Sequence, residues 1–189
     1  DHLLAGLGIR MVRYADDFVI LCRSRAAAER ALSVVQSWVQ AEGLRLHPEK
    51  TRIVDATQPG GFDFLGYHFE CGRHWPRAKS LAKLRDTVRA LTPRTNGHSL
   101  DATIARLNPV LRGWFGYFRH SYRTTFPYLD GWVRRRLRAI LCKRHGLPAW
   151  HMGESHRRWP NAYFASHGLY SLTLAHREAC LALHAQVNH

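Results

Sequence analysis

Two adjacent aspartates, Asp16 and Asp17, are the residues of this 189-residue chain best placed to do chemistry. They lie between two short β-prone runs within residues 10–22, so the pattern predicts a hairpin with both carboxylates at its tip. Neighbouring carboxylates repel each other, but a divalent cation neutralises that repulsion, and Mg²⁺ takes carboxylate oxygens together with substrate phosphates. Two such ions can organise in-line nucleotidyl transfer. Aspartate is also a common turn residue, so the pair alone leaves a purely structural interpretation open.

The basic residues form a second candidate site because one segment holds most of them. Residues 73–158 contain 19 of the 28 Lys and Arg but only 4 of the 14 Asp and Glu, in a chain of net charge +14. Few acids are available to neutralise these cations, so phosphate is the expected counter-ion. The imbalance indicates a polyanionic partner, and nucleic acid in particular. No run approaches about 18 apolar residues, which excludes a membrane-spanning helix.

Cations on three predicted helices, together with one tyrosine, are the candidate nucleic-acid contacts of the basic segment. Most aromatic residues between positions 114 and 132 follow the spacing of a core-facing stripe, whereas Tyr117 lies off it and is placed to stack on an unpaired base. The full set is Arg77, Lys79, Lys83, Arg106, Arg112, Tyr117, Arg119, Arg123, Arg134, Arg135 and Arg138.

The elements that must position these residues follow from the hydrophobic pattern. After the hairpin, a helix is predicted from a cap at Ser24 to Glu42, with Gly43 suited to end it. Further strands are predicted at residues 44–46, 52–54 and 62–70. Helices are predicted over 79–91, from 99 with a kink or restart at Asn108-Pro109, from 127 to 145, and around 175–185. This order predicts an α+β region followed by a helical region.

The four cysteines include no CxxC pair and predict no disulfide framework, which favours a reducing compartment. The first residues show no basic region or cleavage site of a secretory signal. The spacings Cys142-x2-His145 and His176-x3-Cys180 are compatible with zinc ligands, but 13 histidines make such pairs common by chance. We therefore expect no zinc site.

Several motifs resemble those of one enzyme family, and they occur in the family's order. Tyr14-Ala15-Asp16-Asp17, the segment 43–51 (GLRLHPEKT) and the segment 64–69 (FLGYHF) resemble successive motifs of reverse transcriptases. Residues 107–119 (LNPVLRGWFGYFR) resemble the maturase-specific segment of group II intron-encoded reverse transcriptases, and residues 159–169 are similar to their C-terminal end. The resemblance covers almost the whole chain and favours the group II branch over retroviral enzymes.

The resemblance implies a fold and a set of site residues. Residues 1–72 would be the C-terminal part of a reverse transcriptase palm, built from β-hairpins and a helix. Residues 73–158 would be a basic, helical thumb and maturase-specific domain, and residues 159–189 the tail of the maturase region. The implied site residues are Asp16 and Asp17 as catalytic Mg²⁺ ligands, Tyr14, Ala15 and Lys50 lining the active site, and Phe64, Leu65, Gly66 and Tyr67 as a primer-gripping hairpin.

The resemblance also implies an activity and its partners. The complete enzyme would carry out RNA-directed DNA synthesis by two-Mg²⁺ nucleotidyl transfer and bind intron RNA to assist splicing. Its partners would be intron RNA, an RNA template, a DNA primer and deoxynucleoside triphosphates, in the bacterial cytoplasm and without a membrane. The family's other catalytic aspartate has no counterpart in the residues before Tyr14. We therefore expect a C-terminal part of a longer enzyme, inactive alone and dependent on an N-terminal polymerase half.

Three alternatives remain at this stage. The chain could be a stand-alone RNA-binding maturase-type module without polymerase activity. It could belong to another bacterial retroelement, such as a diversity-generating or defence-associated system, although the segments 107–119 and 159–169 argue against this. A zinc-dependent DNA endonuclease extension is the third, and it rests only on Cys142, His145, His176 and Cys180.

Overall fold

The computed structural model describes residues 6, 8–95, 97–147 and 152–187. The described residues divide into two compact units, one formed by residues up to 64 with 69–72, the other by residues 65–68 with those from 73 onward. The strands are β1 (Arg10–Tyr14), β2 (Asp17–Leu21), β3 (Phe62–Phe64), β4 (Tyr67–Glu70) and β5 (Arg73–Pro76), and the helices are α1 (Arg25–Ala41), α2 (Ala78–Leu91), α3 (Leu100–Phe118), α4 (Thr125–Arg144), α5 (Met152–Arg158), α6 (Asn161–Ser166) and α7 (Leu172–Val187).

This element order confirms the predicted α+β class, with small antiparallel sheets followed by a helical region. The three predicted domains, with boundaries after residues 72 and 158, stay a prediction. Among the helices that the structure describes, none combines the length and the apolar character needed to cross a bilayer.

Helix α1 follows the β1–β2 hairpin and begins and ends where its capping residues predict. The Ser24 hydroxyl accepts a hydrogen bond from the Ala27 amide at 3.2 Å, which satisfies a free donor of the first turn. At the other end Gly43 has a φ of 71°, and the Leu44 amide donates to the Val39 carbonyl at 2.9 Å. This is the bonding pattern of a Schellman motif, which favours glycine at that position.

The predicted strands at residues 44–46 and 52–54 are wrong. The chain turns at Pro48 instead, where the amides of Lys50 and Thr51 both donate to the His47 carbonyl at 3.2 and 3.0 Å. Proline lacks the amide that a strand ladder needs, so a turn replaces the pairing. The second sheet has the strand order β3-β4-β5. Its third strand is formed by residues 73–76, which were not among the predicted strands.

The core of the helical unit lies between α2, α3 and α4. Its most deeply buried side chains come from positions three or four apart on each helix, as the apolar stripes predict. They include Val88, Ile104, Leu107, Leu111, Phe126, Leu129, Leu137 and Ile140, each no more than 2% exposed. Of the kink or restart predicted at Asn108-Pro109, the restart is wrong, because α3 runs through Pro109 without interruption. Pro109 is exposed.

A buried carboxylate on α4 caps the start of α7. Asp130 is 4% exposed, and its oxygens accept hydrogen bonds from the Ser171 hydroxyl at 2.8 Å, the Leu172 amide at 3.0 Å and the Thr173 amide at 3.1 Å. The first amides of a helix lack intrahelical acceptors and carry partial positive charge. Asp130 therefore supplies both hydrogen bonds and a favourable charge from a distant position in the sequence.

We predict that Asp130→Ala lowers the free energy of unfolding by about 2–3 kcal/mol, because the buried Leu172 amide, the part-buried Thr173 amide and the Ser171 hydroxyl lose their acceptor. Urea denaturation followed by circular dichroism measures this change. Asp86→Ala is the matched control, since Asp86 is exposed and its ion pair with Arg89 lies at the surface, where such pairs contribute about 0–1 kcal/mol. Equal effects of the two substitutions would show that the cap does not stabilise α7.

Candidate active-site hairpin and nucleic-acid interface

The two aspartates lie at the tip of the β1–β2 hairpin, as predicted. Tyr14 pairs with Asp17 across the hairpin, so Ala15 and Asp16 form a two-residue turn. Ala15 has a φ of 54°, a left-handed conformation that costs a residue with a side chain about 1–2 kcal/mol. Both aspartates are exposed, and Tyr14 is 66% exposed. The tip therefore presents two carboxylates and an aromatic ring to solvent.

The carboxylate pair fits Mg²⁺ in the type of donor that it offers. Mg²⁺ demands oxygen ligands and usually keeps waters or substrate phosphates beside one or two carboxylates. Within the described ranges, no three or more His, Cys, Asp and Glu side chains come together in a way that could hold a metal ion. Two carboxylates can supply only part of an Mg²⁺ coordination shell, so a metal held by Asp16 and Asp17 would need further ligands.

The cysteine and histidine pairs noted in the sequence lie in different surroundings. Cys180 Sγ is 3.7 Å from His176 Nε2, and the His176 ring stacks on Phe126 with centroids 4.5 Å apart. Burial lowers the pKa of His176. Cys142 is buried, whereas the His145 ring packs against Trp159 with centroids 5.4 Å apart.

Lys50, predicted to line the active site, is exposed in the turn that follows Pro48. Its place beside the carboxylates stays a prediction.

The predicted primer-gripping segment forms a tight turn between β3 and β4. Leu65 and Gly66 are its two central residues, and both have positive φ, 47° and 81°. Two-residue hairpin turns of this kind favour glycine. A Cβ on Gly66 would meet its nearest neighbours at 3.5–3.7 Å, which is ordinary contact. The backbone conformation, and not a lack of space, is therefore what requires glycine here.

Both carbonyls of this turn are hydrogen-bonded within the helical unit. The Gly66 carbonyl accepts from the Arg77 amide at 2.9 Å and from the Ser80 hydroxyl at 3.1 Å. The Leu65 carbonyl accepts from the Tyr117 hydroxyl at 2.7 Å. Residues at the start of α2 and the end of α3 thus hold the turn.

Most of the cations predicted to contact RNA lie at the surface. Those exposed are Lys79, Lys83, Arg106, Arg112, Arg119, Arg123 and Arg135, while Arg77 and Arg134 are partly buried. The Arg134 guanidinium lies 4.0 Å from the buried carboxylate of Asp130, so part of its charge is already compensated. Tyr117 is 55% exposed even though its hydroxyl is engaged.

Arg138 is a correction to the predicted set of RNA contacts. It is 4% exposed, and its Nε donates to the Trp159 carbonyl at 2.9 Å while Nη2 donates to Asn161 Oδ1 at 2.8 Å. Its guanidinium also lies 5.1 Å from the centroid of the Phe164 ring. Burial, followed by the charge of Arg134, lowers the pKa of Arg138. Arg138 joins α4 to α6 and is not available to phosphate.

Two arginines that the sequence analysis did not select are stacked on aromatic rings. Arg85 lies 5.6 Å from the centroid of Tyr128, and Arg89 lies 5.9 Å from that of Trp132. We call these four residues the arginine–aromatic ridge. The signal was present in the sequence, because both the arginines and the aromatics are four residues apart and so share a helix face.

Two family comparisons match successive parts of the chain. Residues 1–69 match the family described as reverse transcriptase (RNA-dependent DNA polymerase). Residues 81–161 match the family described as group II intron, maturase-specific domain. The chain belongs to the group II intron reverse transcriptase/maturase family. No curated protein matches it. These two matches confirm the predicted resemblance. The β1–β2 hairpin of this group II protein, with Asp16 and Asp17, lies in the first match. The arginine–aromatic ridge lies in the second.

We predict that Arg138→Ala lowers the free energy of unfolding by about 2–4 kcal/mol, because it leaves buried acceptors unpaired and opens a cavity. Arg135→Ala, on the same helix but exposed, should change stability by less than about 0.5 kcal/mol. Thermal and urea denaturation of both variants measure the difference. Normal stability of Arg138→Ala together with weaker RNA binding would restore Arg138 to the RNA-contact set.

Proposed function

We propose that this group II protein contributes two catalytic carboxylates, Asp16 and Asp17, to RNA-directed DNA synthesis and binds intron RNA through its basic helices. The observation that carries the proposal is the exposed carboxylate pair at the tip of a two-residue hairpin. Its position inside the reverse transcriptase match supports a polymerase role over that of an ordinary turn. The substrates would be an RNA template, a DNA primer and deoxynucleoside triphosphates.

Asp16 and Asp17 would hold Mg²⁺ through their carboxylate oxygens. When bound, the metal lowers the pKa of the primer 3′-hydroxyl and neutralises the charge that develops on the phosphates. Tyr14 and Ala15 would bound the space beside the primer end, and Lys50 would add a positive charge near the phosphates. A further carboxylate must come from residues outside the described ones or from a polypeptide that supplies the N-terminal polymerase half.

The turn at Leu65 and Gly66 would support the primer end. Its carbonyls are occupied by protein donors, so the contact to the primer would use the outer surface of the turn. Phe64 and Tyr67 flank it and would limit how the primer end moves. Correct placement of reacting groups accounts for a large share of the rate in such reactions.

Intron RNA would bind the exposed cations of α2, α3 and α4. Phosphate satisfies guanidinium groups that have no carboxylate nearby, and binding releases counter-ions from the RNA. The arginine–aromatic ridge suits the same partner, since Tyr128 is 56% exposed and aromatic rings stack on unpaired bases. Such binding would favour the splicing-competent fold of the intron.

A second candidate function is an RNA-binding maturase-type module without polymerase activity. It is favoured by one observation, that the described residues bring together no third carboxylate beside Asp16 and Asp17. In that case the aspartates would serve only the hairpin turn. The two candidates differ in whether Asp16 affects DNA synthesis.

We predict that the double variant Arg85→Ala, Arg89→Ala binds structured RNA more weakly and with a shallower salt dependence. If both arginines contact phosphates, the log–log slope should fall by about 1.4–1.8. Filter binding at several salt concentrations measures it. Arg25→Ala, Arg30→Ala is the matched control, because both arginines are exposed on α1 in the other unit. An unchanged slope in the ridge variant would exclude phosphate contacts there.

We predict that Asp16→Asn abolishes primer extension on an RNA template in a complex of this chain with the N-terminal polymerase half. The loss should exceed about 100-fold, because a metal ligand supplies several kcal/mol of transition-state stabilisation. RNA affinity should stay within about twofold, since the substitution lies outside the basic helices.

Asp55→Asn is the control, an exposed aspartate of the same unit whose carboxylate accepts from Thr57. Hydrogen bonds from Thr57 lower the pKa of Asp55. Full activity of Asp16→Asn would favour the RNA-binding module. Synthesis by the 189-residue chain alone would contradict the need for a further carboxylate.

A further inference from the structure

Tyr117 and the turn at Leu65 and Gly66 are joined by two hydrogen bonds that run in opposite directions. The Tyr117 hydroxyl donates to the Leu65 carbonyl at 2.7 Å, and the Tyr67 hydroxyl donates to the Tyr117 carbonyl at 2.6 Å. The two rings lie nearly parallel, with an interplanar angle of 22° and centroids 6.0 Å apart. The Tyr117 hydroxyl therefore holds the backbone two residues before Tyr67, and the Tyr67 hydroxyl holds the backbone of Tyr117 itself.

The turn has a conformation that needs such support. Leu65 has a φ of 47°, which is unfavourable for a residue with a side chain and persists where surrounding contacts hold it. The Tyr117 hydroxyl binds the carbonyl of that same residue. The contacts of the turn are made inside the helical unit, and residues 65–68 group with that unit while residues 69–72 group with the other.

We propose that Tyr117 is a positioning residue that fixes the primer-gripping turn through its hydroxyl group. The inference rests on the proposed function of that turn. It differs from the role expected from the sequence, in which the exposed ring of Tyr117 stacks on RNA. The two roles use different parts of the side chain, the hydroxyl in one case and the ring face in the other.

Tyr117→Phe separates these roles because it removes the hydroxyl and keeps the ring. Tyr163→Phe is the control, since it removes a hydroxyl from a partly buried tyrosine on α6, outside both the turn and the basic helices. Both variants should fold, because each keeps the aromatic ring. Any change confined to Tyr117→Phe can then be assigned to the turn.

The first measurement is hydrogen–deuterium exchange of the full chain. The Arg77 amide, which donates to the Gly66 carbonyl, should exchange about fivefold faster in Tyr117→Phe, as expected for the loss of one neutral hydrogen bond. Tyr163→Phe should exchange like the unsubstituted chain. Unchanged exchange at Arg77 in Tyr117→Phe would show that the hydroxyl does not hold the turn, and would overturn the proposal.

The second measurement follows the primer end directly. The full chain is titrated onto an RNA template annealed to a DNA primer that carries 2-aminopurine at its 3′ terminus. The unsubstituted chain and Tyr163→Phe should change the fluorescence of this base on binding. Tyr117→Phe should bind the duplex within about twofold of the same affinity, because no phosphate contact is lost, but at least half of the fluorescence change should disappear.

The outcomes distinguish the inference from the proposed function. If the unsubstituted chain binds the duplex without any signal from the 3′ base, the primer-contact role of the turn fails, and the positioning role fails with it. If that signal is present and Tyr117→Phe retains it, only the positioning role of Tyr117 is refuted. If Tyr117→Phe behaves like the unsubstituted chain while Tyr117→Ala loses duplex affinity, Tyr117 stacks on nucleic acid instead.

Discussion

Guanidinium groups within the helical unit must find partners where carboxylates are scarce, and this constraint governs how its helices are joined. Arg136 donates to the Thr92 hydroxyl and carbonyl at 3.1 and 2.7 Å. Arg144 donates to the His98 carbonyl, and Arg138 uses the Trp159 carbonyl and the Asn161 amide oxygen. Backbone carbonyls near helix ends lack intrahelical donors. The arginines of α4 therefore complete the ends of neighbouring segments and carry their charge at the same time.

This arrangement separates two kinds of arginine along one helix. Arg136 and Arg138 donate to protein acceptors, whereas Arg135, which directly precedes Arg136, is exposed. The inward arginines bind neutral hydroxyl, carbonyl and amide oxygens, so these contacts do not offset their positive charge. A surface of this kind attracts polyanions over distances near the Debye length, about 8–10 Å at physiological salt. We therefore expect fold stability and the proposed affinity for RNA to depend on different members of one cluster.

Sequence reasoning succeeded where the determining contacts are local. The hairpin at Asp16 and the caps of α1 involve residues a few positions apart, and apolar periodicity predicts α2, α3 and α4. Sequence reasoning failed where the position of a side chain depends on partners far away in the sequence. The burial of Arg138 depends on acceptors more than 20 residues away, and the hydroxyl of Tyr117 binds a carbonyl 52 positions earlier. Nothing in a local pattern distinguishes Arg138 from Arg135, because both are basic residues on one amphipathic helix.

The cap that Asp130 provides for α7 has a consequence for the order of events during synthesis. The carboxylate lies on α4, which leaves the ribosome before the amides of Leu172 and Thr173 that it binds. When the amides of Leu172 and Thr173 are synthesised, the Asp130 carboxylate that accepts from them is already part of α4, a helix that can pack with α2 and α3. Helix α7 is therefore added to an existing surface, and its first turn is completed by docking. A nascent chain that stops short of residue 171 would leave the Asp130 carboxylate without these donors and the surface of α4 that α7 covers open to solvent, so we expect its packing to be less stable than that of the longer chain.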